Sequence, residues 1–419
     1  MLISQFNSVA APSSTDARFT EQTAVVGGSG HVDANELLGK FTTSFSQLDS
    51  QPDDFALVVS TSGSTGAPKR TALTTAALAA SARATEAFTS TDNAQWLLAL
   101  PLHYVAGAQV VARSALAGTT PVLTKSISSG GPFSAQDFVS SASALTAHHR
   151  MTSLVPTQLH KLLETAERNP QMSSEILDAL RSFDALLLGG APASAALLEQ
   201  MLHLKVPVLT TYGSAETAGG CVYAGAPLPG VQVQIEPETE EDAASGSGRI
   251  WLGGPTLASG YLDDPQRTAA HFFTGPDGTR WYKTDDRGTF TGSLTVLGRA
   301  DDTIITGGLK ISAGVLARLL ETHSSVREAL VVGLPDARWG QALVAALTLR
   351  HSHPGAENPE PLDPQGPLAT QLSDLVTQHL GKAAVPKLTL VYTDFPTLST
   401  GKPDRTTVTS HLEQYHRQQ

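Results

Sequence analysis

Short apolar runs of strand length alternate with longer Ala- and Leu-rich segments in the first half of the chain. Residues 55–59 (FALVV) predict a buried strand, and residues 71–85 have the composition of a helix. Residues 105–117 are apolar on every side, as in a buried helix. The alternation continues with predicted strands at 95–100, 185–188 and 206–210 and predicted helices at 138–147 and 156–167. Such strand–loop–helix units favour a layered α/β domain with ligand sites at the carboxyl ends of its strands.

The pattern changes after Gly230 to short alternating segments separated by turns, which predict a β-rich section. The residues beyond that section predict a compact α+β unit, with helices at 313–322 and 368–380 and strands at 328–332 and 342–349. The first fifty residues show only weak periodicity. We therefore expect a large N-terminal α/β domain at 1–300, including the β-rich section, and a small C-terminal α+β domain at 301–419.

Composition narrows the class of protein. The chain has 419 residues, enough for two domains with full cores. Its net charge of −11 argues against nucleic acid or an anionic membrane as the main partner. No apolar run reaches transmembrane length, residues 1–14 lack the Lys or Arg of a secretory signal, and the single cysteine, Cys221, excludes an intramolecular disulfide. We expect a cytoplasmic enzyme that is not an integral membrane protein.

The stretch 60–69 (STSGSTGAPK) follows the predicted strand at 55–59 and carries the first candidate chemistry. Five hydroxyls, two glycines and Lys69 lie within its ten residues. Gly63 and Gly66 let the backbone turn sharply and approach an anion, while hydroxyls, N–H groups and the ammonium supply donors. This favours a polyphosphate-binding loop, although the spacing differs from that of a Walker A loop. A flexible Ser/Gly turn is the alternative.

Three later segments place charged side chains on turns. Glu216 follows a predicted strand and a Tyr-Gly turn, where a carboxylate near a phosphate loop suits Mg²⁺. Asp285 and Asp286 have carboxylates that can accept hydrogen bonds from ribose hydroxyls. Lys402 lies on a loop flanked by Gly and Pro that can present an ammonium to a developing charge. Taken singly, such residues more often belong to solvated loops, turns and exposed tails than to active sites.

Five motifs together resemble the acyl-adenylate-forming superfamily of acyl-CoA synthetases, luciferases and peptide-synthetase adenylation domains, and they occur in that superfamily's order. They are SGSTGAPK at 62–69, YGSAE at 212–216, YKTDD at 282–286, GRAD at 298–301 and GK at 401–402. The resemblance implies an enzyme that uses ATP and Mg²⁺ to activate a small-molecule carboxylic acid as an acyl-AMP. It also implies coenzyme A as the co-substrate that receives the acyl group.

The resemblance implies roles for individual residues as well. Glu216 would bind Mg²⁺, and Lys402 would bridge the substrate carboxylate and the α-phosphate, which makes these the two catalytic residues. The C-terminal domain would swing about a hinge at Asp301 between two half-reactions. Tyr212 would lie against the adenine. The residues expected to bind ATP are Ser62, Gly63, Ser64, Thr65, Gly66, Lys69, Tyr212, Gly213, Asp286 and Arg299, the last two at the ribose.

The chain departs from the superfamily's pattern in three ways. Ala215 stands where a Thr usually precedes the metal-binding Glu, so one α-phosphate contact is missing or comes from Ser214 or Thr217. Asp285 replaces a usual Gly and adds a carboxylate near the ribose. Fewer residues precede the phosphate loop than in many relatives, so the N-terminal subdomain is expected to be reduced.

Residues 100–107 (LPLHYVAG), the short N-terminal region and Arg113 resemble one branch most, the o-succinylbenzoate–CoA ligases of menaquinone synthesis. Arg113 is the only formally charged residue between Asp92 and Lys125, and a buried guanidinium needs an anion. Of the two carboxylates of o-succinylbenzoate, one would be activated and the other would be that anion. The residues expected to bind the acid are His103, Arg113, Gly189 and Gly190.

Several alternatives stay open at this stage. Arg113 is also compatible with a structural carboxylate partner elsewhere in the protein. The enzyme could be another aryl- or acyl-CoA synthetase, or a stand-alone adenylation enzyme that loads a carrier protein. A degenerate nucleotide-binding protein is disfavoured because Glu216, Asp286 and Lys402 are all present. A homodimer is possible.

Overall fold

The computed structural model describes residues 6–27, 32–61, 69–336, 338–350, 359–397 and 403–418. Its strands are β1 (Asn7–Ser8), β2 (Phe19–Val26), β3 (Phe55–Thr61), β4 (Lys69–Thr74), β5 (Gln95–Leu98), β6 (Val122–Leu123), β7 (Arg150–Leu154), β8 (Ala185–Leu188), β9 (Val208–Ser214), β10 (Gly219–Tyr223), β11 (Ala226–Pro227), β12 (Gln232–Glu236), β13 (Ser247–Gly253), β14 (Gly260–Tyr261), β15 (Phe272–Thr274), β16 (Arg280–Phe290), β17 (Leu294–Arg299), β18 (Thr303–Thr306), β19 (Leu309–Ser312), β20 (Val326–Asp336), β21 (Gly340–Leu349), β22 (Glu360–Pro361) and β23 (Leu388–Tyr392). Its α-helices are α1 (Ala34–Ser46), α2 (Thr75–Thr89), α3 (Val105–Leu116), α4 (Lys125–Ser128), α5 (Ala135–Ser143), α6 (Pro156–Arg168), α7 (Pro170–Arg181), α8 (Ala195–His203), α9 (Glu240–Ser245), α10 (Pro265–His271), α11 (Ala313–Glu321), α12 (Pro367–Leu380) and α13 (Arg405–His416).

A seven-stranded sheet organises the N-terminal region, in the order β11-β10-β9-β8-β7-β5-β6. Strands β5 to β9 pair in parallel, whereas β10 and β11 add antiparallel edges. β8 (ALLL) is buried along its whole length, as expected for a parallel strand covered on both faces. Because parallel strands end at the same edge, the segments that follow β5, β7, β8 and β9 come together there. The predicted layered α/β fold class is confirmed.

A four-stranded sheet in the order β14-β4-β3-β2 packs beside it. β3 and β4 pair antiparallel with Thr61 opposite Lys69, so the predicted phosphate loop joins the two strands of a hairpin. The helix predicted at 71–85 is therefore wrong in its first part, because pairing with β3 keeps residues 69–74 extended. The helix begins instead at Thr75, where the hydroxyl of Thr74 accepts the N–H of Ala77 and caps the first turn.

The β-rich section forms a third sheet, in which β1, β15, β16, β13 and β12 are neighbours and β17 pairs with β16. The long strand β16 pairs with β13 on one side and with β15 and β17 on the other. Its register sets Asp286 opposite Arg299. This pairing brings two predicted nucleotide-binding residues together on adjacent strands.

The C-terminal region is a separate α+β unit built on the sheet β19-β18-β21-β23-β22, with β20 paired to β21. Helix α11 covers one face of this sheet with Leu316 and Leu320, and α13 covers the other with Val408 and Leu412. The N-terminal core clusters end at Leu294, and the C-terminal ones begin at Ile304. The predicted boundary near Asp301 falls between them and stays a proposal.

The model also contains elements that the sequence pattern did not indicate. β2 pairs in parallel with β3 although the opening residues have weak periodicity. Helix α13 follows the last motif and is capped by Asp404, whose carboxylate accepts the N–H groups of Thr406 and Thr407. Among the described residues, no helix has both the length and the apolar content needed to cross a membrane.

Candidate active site

A cavity of about 120 Å³ opens between the end of β9 and the middle of β16. The hydroxyl of Tyr212 donates to Asp286 Oδ2 over 2.8 Å. Burial raises the pKa of the Asp286 carboxyl, and burial together with that carboxylate raises the pKa of Tyr212. Thr284 fixes the local backbone, since its hydroxyl donates to Ile250 O and accepts the N–H of Asp286. The predicted nucleotide-binding residues Tyr212 and Asp286 thus lie side by side in one cavity.

Asp285, the extra carboxylate of the motif, lies among three cations. Its oxygens are 3.5 Å from Arg299 Nη2, 3.8 Å from Arg249 Nη1 and 4.0 Å from Lys69 Nζ. The ammonium of Lys69 also lies 5.7 Å from the centroid of the Tyr261 ring. Through its ion pair with Lys69, Asp285 connects the end of the predicted phosphate loop with β16, the strand that also carries Asp286. An isolated carboxylate would be unfavourable beside the phosphates of a nucleotide, but these cations neutralise it.

Arg299 and Asp301 form a two-bond clamp at the entrance to the C-terminal region. Arg299 donates from Nε and Nη2 to the two oxygens of Asp301, each over 2.8 Å. This hydrogen bonding raises the pKa of Arg299 and lowers that of Asp301. Asp301 itself begins the turn before β18. The predicted hinge residue is thus fixed by its side chain, although its hinge function stays a prediction.

Glu216 lies in a single 3₁₀ turn directly after β9 and is 7% exposed. Its Oε1 accepts the hydroxyl proton of Tyr261 over 2.8 Å. Burial and the neighbouring Glu216 raise the pKa of Tyr261, so this hydroxyl stays a donor. Among the described residues, no three His, Cys, Asp or Glu side chains converge to hold a metal ion by themselves. One oriented carboxylate fits Mg²⁺, which is often held by one or two carboxylates plus substrate phosphates.

A second cavity, of about 400 Å³, extends from Glu216 to helix α3. Its walls come from the carboxyl ends of β5, β7, β8 and β9 and from one face of α3. Gly189 and Gly190 line it as predicted. A Cβ at Gly189 would lie 2.3 Å from Thr211 Oγ1, and Gly190 has a φ of +82°, so both positions favour glycine. This shape suits a small molecule whose reactive end lies beside Glu216.

Arg113 lines this second cavity from α3 and is 7% exposed. Its Nη2 donates to the hydroxyl of Tyr223 over 3.2 Å, and its guanidinium lies 5.0 Å from the centroid of the Trp96 ring. Its Nε is buried without a hydrogen-bond partner, and none of the described carboxylates forms an ion pair with it. A buried cation with aromatic neighbours and a spare donor is suited to an anion that the protein itself does not supply.

Several predicted residues are not brought into this arrangement. His103 is half-buried with a pKa lowered by burial, but its neighbour Tyr104, whose ring centroid is 4.1 Å away, lines the second cavity in its place. The predicted role of His103 therefore stays a prediction. Two further sets of predictions lie outside the described residues: Ser62, Gly63, Ser64, Thr65 and Gly66 of the predicted phosphate loop, and Lys402, the predicted catalytic lysine.

The site also includes residues that the sequence did not single out. Tyr261 orients Glu216, Arg249 approaches Asp285, and Tyr223 and Trp96 surround Arg113. Each comes from a strand, or a short segment, far from its partner in the chain. No local motif identifies them, since their positions depend on sheet order and register.

Comparison with known families accounts for this layout. The family model described as AMP-binding enzyme matches residues 5–262, and the one described as AMP-binding enzyme C-terminal domain matches residues 318–402. The chain belongs to the AMP-binding enzyme family. The resemblance to adenylate-forming enzymes that the five motifs predicted is therefore confirmed.

Individual relatives give a narrower similarity. A protein of Mycobacterium tuberculosis named probable 2-succinylbenzoate–CoA ligase is 38% identical over 361 residues, covering 84% of this chain and 83% of that protein. The o-succinylbenzoate CoA synthetase of Bacillus subtilis, solved with its acyl-adenylate intermediate, superposes with a TM-score of 0.64 at 29% identity, covering 85% of this chain and 69% of that one. The same synthetase has been solved with ATP and a magnesium ion, with a TM-score of 0.64, 29% identity and coverage of 85% and 70%. The resemblance to this branch is confirmed.

Proposed function

We propose that this AMP-binding enzyme is an acid–thiol ligase that converts 2-succinylbenzoate, ATP and coenzyme A into 2-succinylbenzoyl-CoA, AMP and pyrophosphate. In the first half-reaction a carboxylate oxygen attacks the α-phosphorus of ATP, the bond from that phosphorus to the bridging oxygen breaks, and pyrophosphate leaves. In the second, the thiolate of coenzyme A attacks the acyl carbonyl, and AMP leaves as the carbon–oxygen bond breaks. The product would serve menaquinone synthesis.

The junction of the two cavities is the observation that carries this proposal. We call the cavity of about 120 Å³ the nucleotide cavity and the cavity of about 400 Å³ the acid cavity. Both are lined by Gly213, Ser214, Glu216 and Arg299. A nucleotide held against Tyr212 and Asp286 would therefore meet an acid bound in the second cavity beside Glu216. When bound at Glu216, Mg²⁺ would neutralise charge on the phosphates, and catalysis of this kind rests mainly on positioning and electrostatics.

Access for the thiol is supported by a third cavity, of about 380 Å³, between the N- and C-terminal regions. It shares Val155, Gly190 and Arg299 with the acid cavity, so a thiol entering between the regions would approach the acyl carbonyl. Pro403, the neighbour of Lys402, lines the same cavity. We infer that the described orientation serves acyl-AMP formation, and that rotation about Asp301 then widens this cavity into the channel that the thiol uses.

The identity of the acid rests on Arg113. The acid cavity places an unpaired buried guanidinium away from the reacting end, which suits a dicarboxylate with one carboxylate activated and one recognised. The related enzymes are named for a substrate of this kind. A cytoplasmic location and a homodimeric assembly remain predictions of the sequence.

The deciding experiment measures pyrophosphate and AMP release from ATP with 2-succinylbenzoate, with and without coenzyme A. We expect pyrophosphate release with the acid and AMP release only after coenzyme A is added. Release of neither product with 2-succinylbenzoate, but turnover with another aryl or acyl acid, would overturn the substrate assignment. Acyl-AMP formation without any coenzyme A-dependent AMP release would point instead to a stand-alone enzyme that loads a carrier protein.

The Lys402→Ala variant tests the order of the two steps. From its place in the sequence of the C-terminal domain, between Gly401 and Pro403, we infer that the ammonium acts in only one domain orientation. We expect acyl-AMP formation to be abolished, while thioester formation from preformed acyl-AMP is nearly intact. Comparable losses in both half-reactions would show that Lys402 acts throughout or is structural.

A further inference from the structure

We propose that the hydroxyl of Ser214 donates a hydrogen bond to the α-phosphoryl group as the acid attacks it, an assignment that rests on the proposed function. Its Oγ is buried and has no hydrogen-bond partner among the described residues. Ser214 is a lining residue of both the nucleotide cavity and the acid cavity. Buried hydroxyls normally find a partner, and an unpaired one at the meeting point of two cavities points to a ligand.

The neighbouring residues cannot supply this donor. Ala215 has no polar group, and its side chain is packed in the hydrophobic core. Thr217 has a hydroxyl, but it donates to Gly219 O over 2.7 Å and accepts the N–H of Ser214 over 2.9 Å. Since a hydroxyl carries one proton, that of Thr217 is already in use. Of the two candidates that the sequence left open, Ser214 and Thr217, the hydrogen bonds favour Ser214.

The backbone holds Ser214 firmly in place. Its N–H donates to Thr217 Oγ1, and the residue is extended, with φ of −150° and ψ of −172°. On the other side Gly213 leaves no room for a side chain, because a Cβ there would lie 2.1 Å from Gly219 O. The backbone therefore fixes the position of Ser214 where the two cavities meet. A donor held in place in this way is most effective where charge develops during the reaction.

The test compares single-turnover acyl-AMP formation in the wild type, Ser214→Ala and Ser214→Thr. We expect Ser214→Ala to lower the rate roughly 10- to 150-fold, the range for a hydrogen bond to a charged group, with little change in KM for ATP or acid. Ser214→Thr keeps the hydroxyl, and its β-branch suits the extended backbone, so it should retain most of the rate. Ser114→Ala is the matched control, because Ser114 is also buried and unpaired but lines neither cavity.

ATP carrying sulfur in place of a non-bridging α-oxygen identifies the atom that is contacted. If Ser214 bonds one of these oxygens, one thio-diastereomer should slow the wild type and slow Ser214→Ala no further. Equal rates for the wild type and Ser214→Ala, or a thio effect of the same size in both for each diastereomer, would overturn the assignment. Failure of the wild type itself to form acyl-AMP would instead count against the proposed function, so the two failures are distinguishable.

Discussion

Two buried arginines in this molecule have opposite surroundings. Arg113, in the acid cavity, pairs with none of the described carboxylates, and its polar contact is the hydroxyl of Tyr223. Arg327, at the junction of the two regions, has an 11% exposed side chain and contacts the carboxylates of Glu164 and Asp394, with Glu328 at 3.9 Å. Burying either guanidinium is costly unless an anion is near. The described residues supply an anion for Arg327 but none for Arg113.

From this difference we infer that Arg327 has a structural role and propose that Arg113 recognises a ligand. Glu164 belongs to α6 of the N-terminal region, and its Oε1 lies 2.7 Å from Arg327 Nη1 of the C-terminal strand β20. Arg327 therefore links the two regions in the described orientation. Arg113 forms no such link among the described residues, and we propose that an anionic ligand compensates its charge. Breaking each interaction in turn tests this division of roles.

The largest effect is expected from Arg113→Ala. Truncating one member of a buried charge pair typically costs about 2–5 kcal/mol, or roughly 30- to 4,000-fold. We expect kcat/KM for 2-succinylbenzoate to fall within that range, because its free carboxylate loses its partner. The affinity for ATP should hardly move. Steady-state kinetics with each substrate varied in turn measures both quantities.

Two controls keep that result interpretable. Benzoylpropionate, which lacks the aromatic carboxylate, should lose far less on the same substitution. Arg113→Met fills much of the same volume beside Trp96 without a charge, so it separates loss of packing from loss of the ion pair. Equal losses for the two acids, or a large fall in melting temperature in both variants, would assign Arg113 to structure.

The burial of Arg113 could be predicted, but its partners could not. The apolar pattern located its helix to within one residue, since residues 105–117 were expected and α3 spans Val105–Leu116. Tyr223 and Trp96 come from β10 and β5, and only the sheet order places these strands beside α3. Motif spacing likewise located Glu216 and Asp286 but not Tyr261, which orients Glu216.

The helix predicted at 71–85 was wrong at its start for a similar reason, namely strand pairing that the local sequence does not reveal. Residues 71–74 have a composition that suits a helix, yet pairing with β3 holds them in a strand. Intrinsic helix propensity is worth less than 1 kcal/mol per residue for such residues, so a neighbouring strand readily overrides it. Local patterns therefore give the elements and the motif residues, whereas long-range pairing decides which side chains complete the site.

The next largest effect is expected from Asp301→Pro, which tests whether the C-terminal region must rotate relative to the N-terminal region. Proline fixes φ, so Asp301→Pro should hold one domain orientation. We expect acyl-AMP formation to survive and thioester formation to fall about 100-fold, as when reacting groups are misplaced. Asp301→Ala is the matched control, because it removes the clamp to Arg299 but leaves the backbone free. Unchanged overall turnover in Asp301→Pro would remove the hinge assignment.

A smaller effect is expected from weakening the link at Arg327. Glu164→Gln removes the charge facing Arg327 Nη1, and a partly exposed pair of this kind is worth up to about 1 kcal/mol, or roughly fivefold in population. Acyl-AMP formation should slow by up to that factor, while thioester formation from preformed acyl-AMP should not slow. Glu167→Gln makes the same change on the exposed face of α6, where the structure describes no ion pair for Glu167, and should have no effect. Slowing of both half-reactions alike would show that the contact does not select an orientation.

The smallest effect is a dependence of stability on pH, and it arises from Glu321 between the two regions. Glu321 of α11 lines the cavity between the regions, and its carboxylate accepts the N–H of Ala329 over 3.0 Å. Burial is the main cause that raises its pKa to about 7, and Glu328 adds to the rise, while that N–H and the cations Arg318 and Arg350 oppose it. At pH values between the ordinary Glu pKa and 7, the folded protein therefore keeps a proton that the unfolded chain has lost.

The sign of the resulting pH dependence follows from this difference in protonation. The favourable contribution of protonated Glu321 is fully present below the unfolded pKa, near 4.5, and is lost as the pH rises through about 7. Because the side chain is only partly buried, we expect about 1 kcal/mol, which corresponds to a fall in melting temperature of roughly 2–4 °C between pH 5 and pH 7.5 relative to Glu321→Gln. The glutamine keeps an oxygen for the Ala329 N–H and cannot ionise, so it isolates the titration. Parallel melting curves for the two proteins across this pH range would mean that Glu321 titrates as an ordinary carboxyl and that its burial between the two regions does not retain the proton.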